Sequence, residues 1–451
     1  MKYHSHSAKN LTADFSDALL ASLAPDGGLW MPNSIPKFDD KTLTRMGAMS
    51  FADCAAELSR YFVDENFSDE DLYDICQDAY NFDVPIKTAD GIVLDPALPE
   101  DEDHYFLELF HGPTLAFKDF AARFMGRSAS HIMNKSGEKR TILVATSGDT
   151  GGAIGDAFLN QDGIKVFILF PKGGVSKVQE QQLCTMGDEN SNIKAISVDG
   201  TFDDCQKLVK EAFGNKELTE KHNLMSANSI NVGRVIPQSF YYFWTSLQIK
   251  AAHPSQPIVY SIPSGNLGNL TGGLIARKMG APIERFVIGN NVNDPFVDYL
   301  ASGIYTPRAS VPTLSNAMDI GRPNNFPRIL DLFGGVFEDV QEACWGASFT
   351  DHQTEVHMQK VFEETDYVMC PHTAVGHLAM SAFEQDIDEK FIRITVATAH
   401  PAKFKDSVDR ILSRDTPLPA PLQAAMNKEK RAHIMEPTLS NLSNYLSFHT
   451  E

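Results

Sequence analysis

The chain has 451 residues, of which 43% are hydrophobic and 22% charged, and its formal net charge at pH 7 is −20. This length is enough for about two or three domains with substantial cores, and the composition is that of a globular protein. A long-range negative field repels nucleic acid and anionic membranes, so neither is expected as a partner, and an anionic substrate would need a local cluster of cations.

The cysteines and the N-terminal segment indicate a cytoplasmic protein. Six cysteines are scattered along the chain without a CxxC pair, which is typical of reduced intracellular proteins and not of a disulfide framework. The segment MKYHSHSAKNLTADF lacks the apolar core of a signal peptide, and no apolar run approaches the roughly 20 residues that cross a bilayer. We therefore expect localisation to the cytoplasm.

Helical patterns dominate residues 1–100. DFSDALLASLA, SFADCAAELSRYF and DEDLYDICQDAYNF show helical periodicity and are separated by turns that contain proline and glycine. The acidic stretch LDPALPEDEDHY is predicted to end this region.

From Tyr105 onward, apolar strand-like runs alternate with helical ones. Strands are predicted at TILVATS, KVFILFP, IKAISVD, PIVYSIPS, ERFVIG, YVMCP and FIRITVAT, and helices at FDDCQKLVKEAF and LTGGLIARKMG. Because the strand runs are nearly continuous rather than alternating, they suit strands that are covered on both faces. The pattern predicts an α/β fold with largely parallel sheets.

Lys118 lies in HGPTLAFKDF, ahead of a helical run whose phenylalanines recur on one face. Gly112-Pro113 predicts the start of this helix, since proline suits the first helical turn. Apolar neighbours and the positive end of a helix both disfavour an ammonium group, which makes the free amine easier to reach. A lysine needs that state in order to form a Schiff base, although most lysines are simply solvated.

Two glycine-rich turns each follow a predicted strand and precede a predicted helix. In SGNLGN, after PIVYSIP, converging backbone N–H groups and the helix N-terminus suit one phosphate group. This turn has neither the Lys-Ser/Thr pair of a Walker A motif nor the spacing of G-x-G-x-x-G, so a dinucleotide is disfavoured. In SGDTGG, after TILVAT, hydroxyls and N–H groups suit a carboxylate. Either turn could also be a plain helix cap without a ligand.

A Schiff-base lysine, a cup for one phosphate and a cup for a carboxylate are together what pyridoxal phosphate and an amino-acid substrate require. The motifs HGPTLAFKDF, ATSGDTGGA, SANSINVGRVIPQ, SGNLGN, TLSNAMDIGRPNN and TAHPAKFKDS, in this order, resemble the threonine synthase family of the bacterial and fungal type. The resemblance extends over nearly the whole chain. HGPTLAFKDF is its most specific part, whereas SGNLGN and SGDTG recur more widely among fold-type II pyridoxal-phosphate enzymes.

The resemblance implies a fold-type II architecture like that of the tryptophan synthase β subunit, with two open α/β domains and a helical N-terminal region. It places this region at 1–100, a large cofactor-binding domain at 101–138 and 235–451, and a smaller closing domain at 139–234. The implied enzyme converts O-phospho-L-homoserine and water to L-threonine and phosphate by γ-elimination and β-addition, the last step of threonine biosynthesis. A monomer or a weak homodimer is expected.

The resemblance also implies the contacts with the cofactor. Lys118 corresponds to the lysine that binds pyridoxal phosphate covalently, and Thr398 corresponds to the hydroxyl residue near the pyridine nitrogen. Asp149 stands where related enzymes often carry asparagine, facing the 3′-hydroxyl of the cofactor. The loop that binds the cofactor phosphate corresponds to Gly265, Asn266, Leu267, Gly268 and Asn269.

The implied substrate is a phosphate ester, so its site needs cations and hydrogen-bond donors. Its carboxylate is expected at the turn formed by Ser147, Gly148 and Thr150. Arg234 is the preferred cation for the phosphate, because a charge beside the apolar run VIPQSFYYFW needs a partner. The other candidate cations are Lys172, Lys177, Lys403 and Lys405. The candidate neutral donors are Ser226, Asn228, Ser229 and Asn231.

Other readings of the sequence stay open. Another fold-type II lyase, such as an O-phosphohomoserine phospholyase or a threonine or serine dehydratase, shares the first half of the implied reaction. A non-catalytic binding protein could keep the fold, although the intact Lys118 and SGNLGN argue against it. A metallohydrolase is disfavoured, because the sequence has no HExxH motif and the candidate ligands lack the i, i+4 spacing of a helical zinc site. These candidates are His352, His357, His372 and His377.

Overall fold

The structure is a computed structural model that describes residues 1–97, 102–187 and 190–450. The boundary predicted at residue 100 therefore lies outside the described residues. Within the described ranges, no helix has both the length and the apolar character needed to span a membrane. The strands are β1 (Lys2–Ser5), β2 (Thr12–Asp14), β3 (Trp30–Pro32), β4 (Ile86–Lys87), β5 (His104–Glu108), β6 (Arg140–Ala145), β7 (Ile164–Pro171), β8 (Ile193–Val198), β9 (Leu224–Ser226), β10 (Ile258–Pro263), β11 (Arg285–Asn290), β12 (Cys344–Ser348), β13 (Ile392–Ala397) and β14 (His433–Met435).

Helices connect and cover these strands. The α-helices are α1 (Phe15–Ala21), α2 (Asp40–Gly47), α3 (Phe51–Ser59), α4 (Asp69–Ala79), α5 (Lys118–Ser136), α6 (Asp149–Phe158), α7 (Lys177–Cys184), α8 (Phe202–Gly214), α9 (Lys216–His222), α10 (Gln238–Ala252), α11 (Gly268–Lys278), α12 (Pro295–Ser302), α13 (Phe326–Leu332), α14 (Phe337–Ala343), α15 (Asp351–Thr365), α16 (Pro371–Asp386), α17 (Lys405–Leu412), α18 (Ala420–Met426) and α19 (Leu439–Thr450). Short 3₁₀ helices occur at Val232–Arg234, Asn316–Met318 and Pro401–Phe404.

The N-terminal region combines a small antiparallel sheet, ordered β2–β1–β3, with helices α1–α4. The start of α4 is fixed by a reciprocal cap, in which the Ser68 hydroxyl accepts from the Asp71 N–H and the Asp71 carboxylate accepts from the Ser68 N–H. Phe51 of α3 packs edge-on against Phe120 and Trp244. The region therefore shares its core with the larger α/β unit, and its small sheet is a feature that helical periodicity did not predict.

The larger sheet has the strand order β12–β11–β10–β13–β5–β4, and only the edge strand β4 is antiparallel to its neighbour. Alternate residues of β10 enter different apolar clusters, because successive side chains of a strand point to opposite faces. Ile258 and Ile262 pack in the same cluster as residues of α10 and α11, whereas Val259 packs with α16. Helices thus cover both faces, as the continuous apolar strands predicted.

The smaller sheet has the order β14–β8–β7–β6–β9, and all of its pairings are parallel. Its edge strand β14 comes from the C-terminal segment, where Met435 pairs with Val198. Leu442 and Leu446 of α19 are buried in the apolar cluster of this same sheet. The predicted division assigned 235–451 to the larger domain throughout, whereas the C-terminal segment completes the smaller one, because its apolar face covers that sheet.

Most of the strands and helices predicted from apolar runs are present. TILVATS, KVFILFP, IKAISVD, PIVYSIPS, ERFVIG and FIRITVAT contain β6, β7, β8, β10, β11 and β13, and FDDCQKLVKEAF and LTGGLIARKMG form α8 and α11. The strand predicted at YVMCP is wrong. Met369 and Cys370 are buried in a cluster with Ala374 and Val408, and the segment leads into α16 without pairing to a sheet. Burial against helices, rather than strand pairing, explains its apolar character.

Candidate active site

A cleft lies at the carboxyl ends of the strands of both parallel sheets. It is the place where the loops after β6, β10 and β13 meet. Open α/β sheets bind ligands at this edge. The cleft brings together Lys118, Ser147, Asp149, Thr150, Asn228, Ser229, Arg234, Thr398 and all five residues of the loop at 265–269.

Lys118 is the first residue of α5, and its amine lies 4.3 Å from the centre of the Phe117 ring. The described residues place no hydrogen-bond or ion-pair partner on this amine, and loss of hydration lowers the pKa of Lys118 to about 7. The nearby charge of Arg234 lowers this pKa further, and that of Asp149 opposes the change. The setting inferred from the sequence, with apolar neighbours at a helix N-terminus, is therefore present.

The segment before Lys118 is fixed by Asp119. The Thr114 backbone N–H donates to one oxygen of the Asp119 carboxylate at 2.9 Å, and the Thr114 hydroxyl donates to the other at 2.5 Å. A Cβ on Gly112 would stand 2.5 Å from that carboxylate, so only glycine fits there. The helix predicted to begin at Gly112-Pro113 begins at Lys118 instead, because these contacts hold 112–117 as a turn. Burial raises the pKa of Asp119 to about 6.

The loop at 264–267 joins β10 to α11 and packs closely against the segment that contains Met318. Leu267 adopts a left-handed conformation with φ of 59°, which turns the chain into the first turn of α11. A Cβ on Gly265 would stand 2.7 Å from the Met318 Cα. The side-chain hydroxyl of Ser264 and the Nδ2 of Asn269 are buried and have no partner among the described residues.

The orientation of the Asn269 side chain is set from α10. The hydroxyls of Tyr241 and Tyr242 donate to the Asn269 Oδ1 at 2.5 and 2.8 Å. Burial raises the pKa of both phenols well above its ordinary value, so both remain protonated donors. Because the Oδ1 of Asn269 accepts both of these bonds, its Nδ2 donor faces the loop.

Arg234 lies deep in the cleft wall, with 2% of its surface exposed. One guanidinium nitrogen donates to the Ala227 carbonyl, whereas the buried Nε has no partner within the described ranges. Burial lowers the pKa of Arg234 to about 10, so the group is still charged at neutral pH. A buried cation with a free donor is a site for an anion.

These unpartnered donors provide a test of whether the residues suit pyridoxal phosphate. The Ser264 hydroxyl, the Asn269 amide and the N-terminus of α11 together offer hydrogen-bond donors and positive potential to one phosphate group. Lys118 lines the same cleft with a lowered pKa, as a Schiff-base lysine needs. The residues present fit the cofactor.

Asp149 begins α6 and forms a buried ion pair with Lys403, whose Nζ lies 2.9 Å from the Asp149 Oδ1. The Gln179 side chain donates to the same oxygen at 2.9 Å. Burial by itself raises the pKa of Asp149, but the charge of Lys403 and the bond from Gln179 outweigh it and hold this pKa below its ordinary value. Asp149 is therefore an ionised group at the cleft wall.

Asn228 and Ser229 reach the cleft from the loop after β9. The Asn228 amide exchanges hydrogen bonds with the backbone of Ala145, donating at 2.8 Å and accepting at 3.2 Å. The Ser229 hydroxyl accepts from Asn266 at 3.0 Å and from Asn325 at 3.1 Å. Both side chains are thus held in place beside the loop at 265–269.

The structure places several predicted site residues outside the cleft lining. Ser226 and Asn231 are fully buried, and the Asn231 amide donates to the carbonyls of Leu19 and Ser226 while its oxygen caps the 3₁₀ helix. Gly148 has φ of 128°, and a Cβ there would stand 2.4 Å from the Gln179 side chain. These three residues stabilise the local backbone and do not line the cleft.

The remaining candidate cations also lie away from the cleft lining, and each has an acidic partner. Lys172 lies 3.8 Å from Asp199, and Lys177 lies 3.2 Å from Asp406. Lys403 pairs with Asp149, and Lys405 lies 2.6 Å from Asp409. Arg234 is therefore the candidate cation that the structure brings to the cleft.

Two residues of the cleft lining, and one residue that supports it, were missed from the sequence. Ser264 precedes the phosphate loop, and His372, considered above only as a metal ligand, lines the cleft and accepts from the Ala317 N–H at 3.1 Å. Arg328 is fully buried and donates to the carbonyls of Ser229 and Ile230 at 2.6 and 2.7 Å. The sequence could have indicated Arg328, because it is a charged residue within the apolar run FPRIL. Within the described residues, no group of His, Cys, Asp or Glu side chains is arranged to hold a metal.

Comparison with known families gives three matches along the chain, of which the second and third overlap. Residues 2–80 match the model described as threonine synthase N terminus, residues 94–398 match pyridoxal-phosphate dependent enzyme, and residues 373–446 match threonine synthase, C-terminal. The middle match contains Lys118 and both glycine-rich turns.

The chain is similar over its whole length to curated and solved proteins. A threonine synthase of Buchnera aphidicola is 38% identical over 446 residues, which cover 99% of each chain. The crystal structure of threonine synthase from Escherichia coli aligns with a TM-score of 0.89 at 35% identity and covers 100% of both chains. A structure of pyridoxal-phosphate-bound threonine synthase from Brucella melitensis aligns with a TM-score of 0.89 at 32% identity and covers 100% of both chains.

Proposed function

The chain belongs to the threonine synthase family of pyridoxal-phosphate-dependent enzymes, and on this premise we propose that it converts O-phospho-L-homoserine and water to L-threonine and phosphate. The observation that carries the proposal is the convergence in one cleft of a lysine with a lowered pKa and two sets of unpartnered donors, those of Ser264 with Asn269 and that of Arg234. Those donors suit two anionic groups, one on the cofactor and one on the substrate.

The cofactor site is assigned as follows. Lys118 would hold pyridoxal phosphate covalently, and the loop at 265–269, with Ser264, would hold its phosphate group. Thr398 and Asp149, which line the same cleft, would contact the ring nitrogen and the 3′-hydroxyl respectively. When bound, pyridoxal phosphate supplies an electron sink that allows hydrogen on an amino-acid substrate to leave as a proton.

The substrate site is formed by the start of α6 and by residues that lie beside the phosphate loop. The first turn of α6 offers backbone N–H groups, and Ser147 and Thr150 add hydroxyls, which suits the substrate carboxylate. Arg234 binds the substrate phosphate with its free Nε, and the neighbouring Asn228 and Ser229 supply neutral groups. These contacts orient the substrate between Lys118 and the mouth of the cleft.

Lys118 is the residue that moves protons in this proposal. A pKa of about 7 means that its amine, once released, is unprotonated in a large fraction of molecules at neutral pH. It can therefore accept the proton at the substrate Cα and return a proton at a later step. Arg234 keeps the phosphate in place until it leaves from Cγ, after which water adds at Cβ.

Water has to be excluded from the early steps and admitted later. Phe202 and Gln206 of α8, on the smaller sheet, face Met318 and Ile320 across the cleft. We propose that these two sides approach each other when substrate binds, which would close the mouth. We further infer a cytoplasmic enzyme, which the six free, buried cysteines support. We also propose that it is a monomer or a weak homodimer.

Product analysis tests the proposed reaction. The protein is incubated with pyridoxal phosphate and O-phospho-L-homoserine, and threonine, 2-oxobutyrate and phosphate are measured by chromatography. Equal amounts of threonine and phosphate are expected. Release of 2-oxobutyrate in place of threonine would assign the cleft to a phospholyase, because water would then not have added at Cβ.

A further inference from the structure

Lys403 is a fully buried cation, with 0% of its surface exposed, in the 3₁₀ helix that follows β13. Its ammonium lies 2.9 Å from the Asp149 Oδ1 and donates to the Thr114 carbonyl at 2.7 Å. It therefore joins three segments that build the cleft: the turn before Lys118, the start of α6 and the loop that carries Thr398.

The ion pair of Asp149 and Lys403 is part of a closed ring of contacts that also includes Gln179 and Ser176 of the α7 segment. Gln179 donates to Asp149, and the Gln179 N–H donates to the Ser176 hydroxyl at 3.1 Å. The Ser176 hydroxyl in turn donates to the Lys403 carbonyl at 2.5 Å. This ring fixes the ammonium of Lys403 against Asp149, so Lys403 is not available to a substrate.

The charges around Lys118 explain why a fixed cation matters at this position. Arg234, Asp149 and His372 all line the cleft with Lys118. Burial lowers the pKa of His372 to about 4, so this ring is neutral near pH 7. Asp149 favours a protonated Lys118, whereas Arg234 disfavours it. An unpaired Asp149 would therefore favour the ammonium form of Lys118 more strongly.

We propose that Lys403 is a positioning residue that serves as the permanent counter-ion of Asp149, and so keeps the amine of Lys118 free to react without touching the cofactor or the substrate. The proposal rests on the role of Lys118 given above. Lys403 acts by offsetting the charge of Asp149, and this balance depends on the 2.9 Å contact between them.

The test measures how fast the full-length protein captures pyridoxal phosphate as a function of pH. The Lys118 amine condenses with the cofactor aldehyde, a C=N bond forms and one water leaves, and only the unprotonated amine attacks. Ionisation of free pyridoxal phosphate is the same for every variant. Lys403→Met keeps every residue assigned to the cofactor, so a shift in its midpoint reports on Lys118, and the double variant is compared with Asp149→Asn because both lack the Asp149 carboxylate.

Opposite shifts are expected from the two partners of the pair. In Lys403→Met the charge of Asp149 is uncompensated, so the midpoint should rise by about one pH unit. In Asp149→Asn the charge of Lys403 is uncompensated, so the midpoint should fall. The double variant Lys403→Met/Asp149→Asn should return close to the starting value. Lys430→Met, which removes an exposed partner 3.2 Å from Glu180, is the matched control and should not shift the midpoint.

Shifts of the same sign in both single variants, or a double variant that shifts as far as Lys403→Met, would overturn the proposal and leave Lys403 a packing role only. If Lys403→Met does not fold, the other two variants decide. A lowered midpoint in Asp149→Asn that returns in the double variant supports the proposal, and equal midpoints in these two overturn it. Capture of the cofactor by Lys118→Ala would instead contradict the proposed function itself.

Discussion

The hydroxyl of Tyr241 donates to the Asn269 Oδ1 at 2.5 Å, and this bond fixes which end of the Asn269 amide faces the cleft. Tyr242 donates to the same oxygen from the next position of α10. The two phenols belong to the apolar run FYYFW, which by composition alone is only a buried helix. Their polar ends connect this helix to the phosphate loop.

Removal of both phenols is expected to weaken binding of the cofactor. In Tyr241→Phe/Tyr242→Phe the amide of Asn269 is free to turn, so its donor no longer faces the phosphate at all times. Because a hydrogen bond to a charged group contributes about 1.5–3 kcal/mol, the Kd for pyridoxal phosphate should rise about 10-fold or more. Fluorescence titration measures it, and turnover at saturating cofactor should change much less. An unchanged Kd would show that the tyrosines do not position Asn269.

Arg234→Met is expected to raise the KM for O-phospho-L-homoserine by about 10- to 100-fold, since one charge-assisted contact with phosphate is lost. Binding of the cofactor should change less, because Ser264, Asn269 and the start of α11 remain. Steady-state kinetics at saturating pyridoxal phosphate measure the effect. Arg431→Met, at an exposed position away from the cleft, is the matched control. Equal KM values for the two variants would remove Arg234 from the substrate site.

Gly265→Ala is expected to displace the phosphate loop. The new Cβ would stand 2.7 Å from the Met318 Cα and 3.1 Å from its carbonyl oxygen, and backbone atoms cannot turn aside as a flexible side chain does. Overpacking of this kind destabilises by about 1–3 kcal/mol, so both the Tm and the affinity for the cofactor should fall. Gly214→Ala, where no atom lies within 4 Å of the new Cβ, is the control for the effect of a methyl group alone. Equal Tm values for the two variants would contradict the close approach.

Three histidines pack together between α15, α16 and the larger sheet, and they should make the fold sensitive to acid. The His357 Nε2 lies 2.7 Å from the His377 Nδ1, and His377 stacks on His104. Burial lowers the pKa of His104 and of His357 to about 4, and that of His377 well below its ordinary value.

The sign of the pH dependence follows from these shifts. The unfolded chain protonates its histidines at a pKa of about 6.5, whereas the folded chain does not do so until about pH 4, so the unfolded state binds more protons between these values. The free energy of unfolding should therefore fall as the pH is lowered from about 6.5 towards 4. Urea unfolding measures the slope, which should become less steep in His377→Gln. His352→Gln, on the exposed side of α15, is the matched control, and an equal slope in both variants would contradict this account.

The sequence predicted those parts of the site whose chemistry is local. Lys118 and both glycine-rich turns lie where short strand–turn–helix patterns put them, because glycine spacing and apolar runs determine such turns directly. The sequence predicts several substrate contacts from SANSIN, but the turn it forms places Asn228 and Ser229 in the cleft lining and buries Ser226 and Asn231. One contiguous motif therefore contributes two side chains to the cleft lining and two to the buried interior. The spacing of its polar residues alone does not show which side chains are which.

The contacts that the sequence did not predict join residues far apart in the chain. The sequence indicates Lys403 as a candidate for the substrate phosphate because it is a cation in a family motif, but its partner Asp149 begins α6, which packs on the smaller sheet. Similarly, β14 and α19 return to the smaller sheet after the larger one is complete. Such pairings depend on how the two sheets face each other, and no local pattern encodes that arrangement.

The central claim is that Lys118 carries pyridoxal phosphate in this cleft. The most direct measurement is reduction of the cofactor-loaded protein with borohydride, followed by proteolysis and mass spectrometry of the modified peptide. The account predicts that the added mass lies on Lys118 and that Lys118→Ala loses it together with threonine formation. Modification of a different lysine, with threonine still formed by Lys118→Ala, would contradict the account.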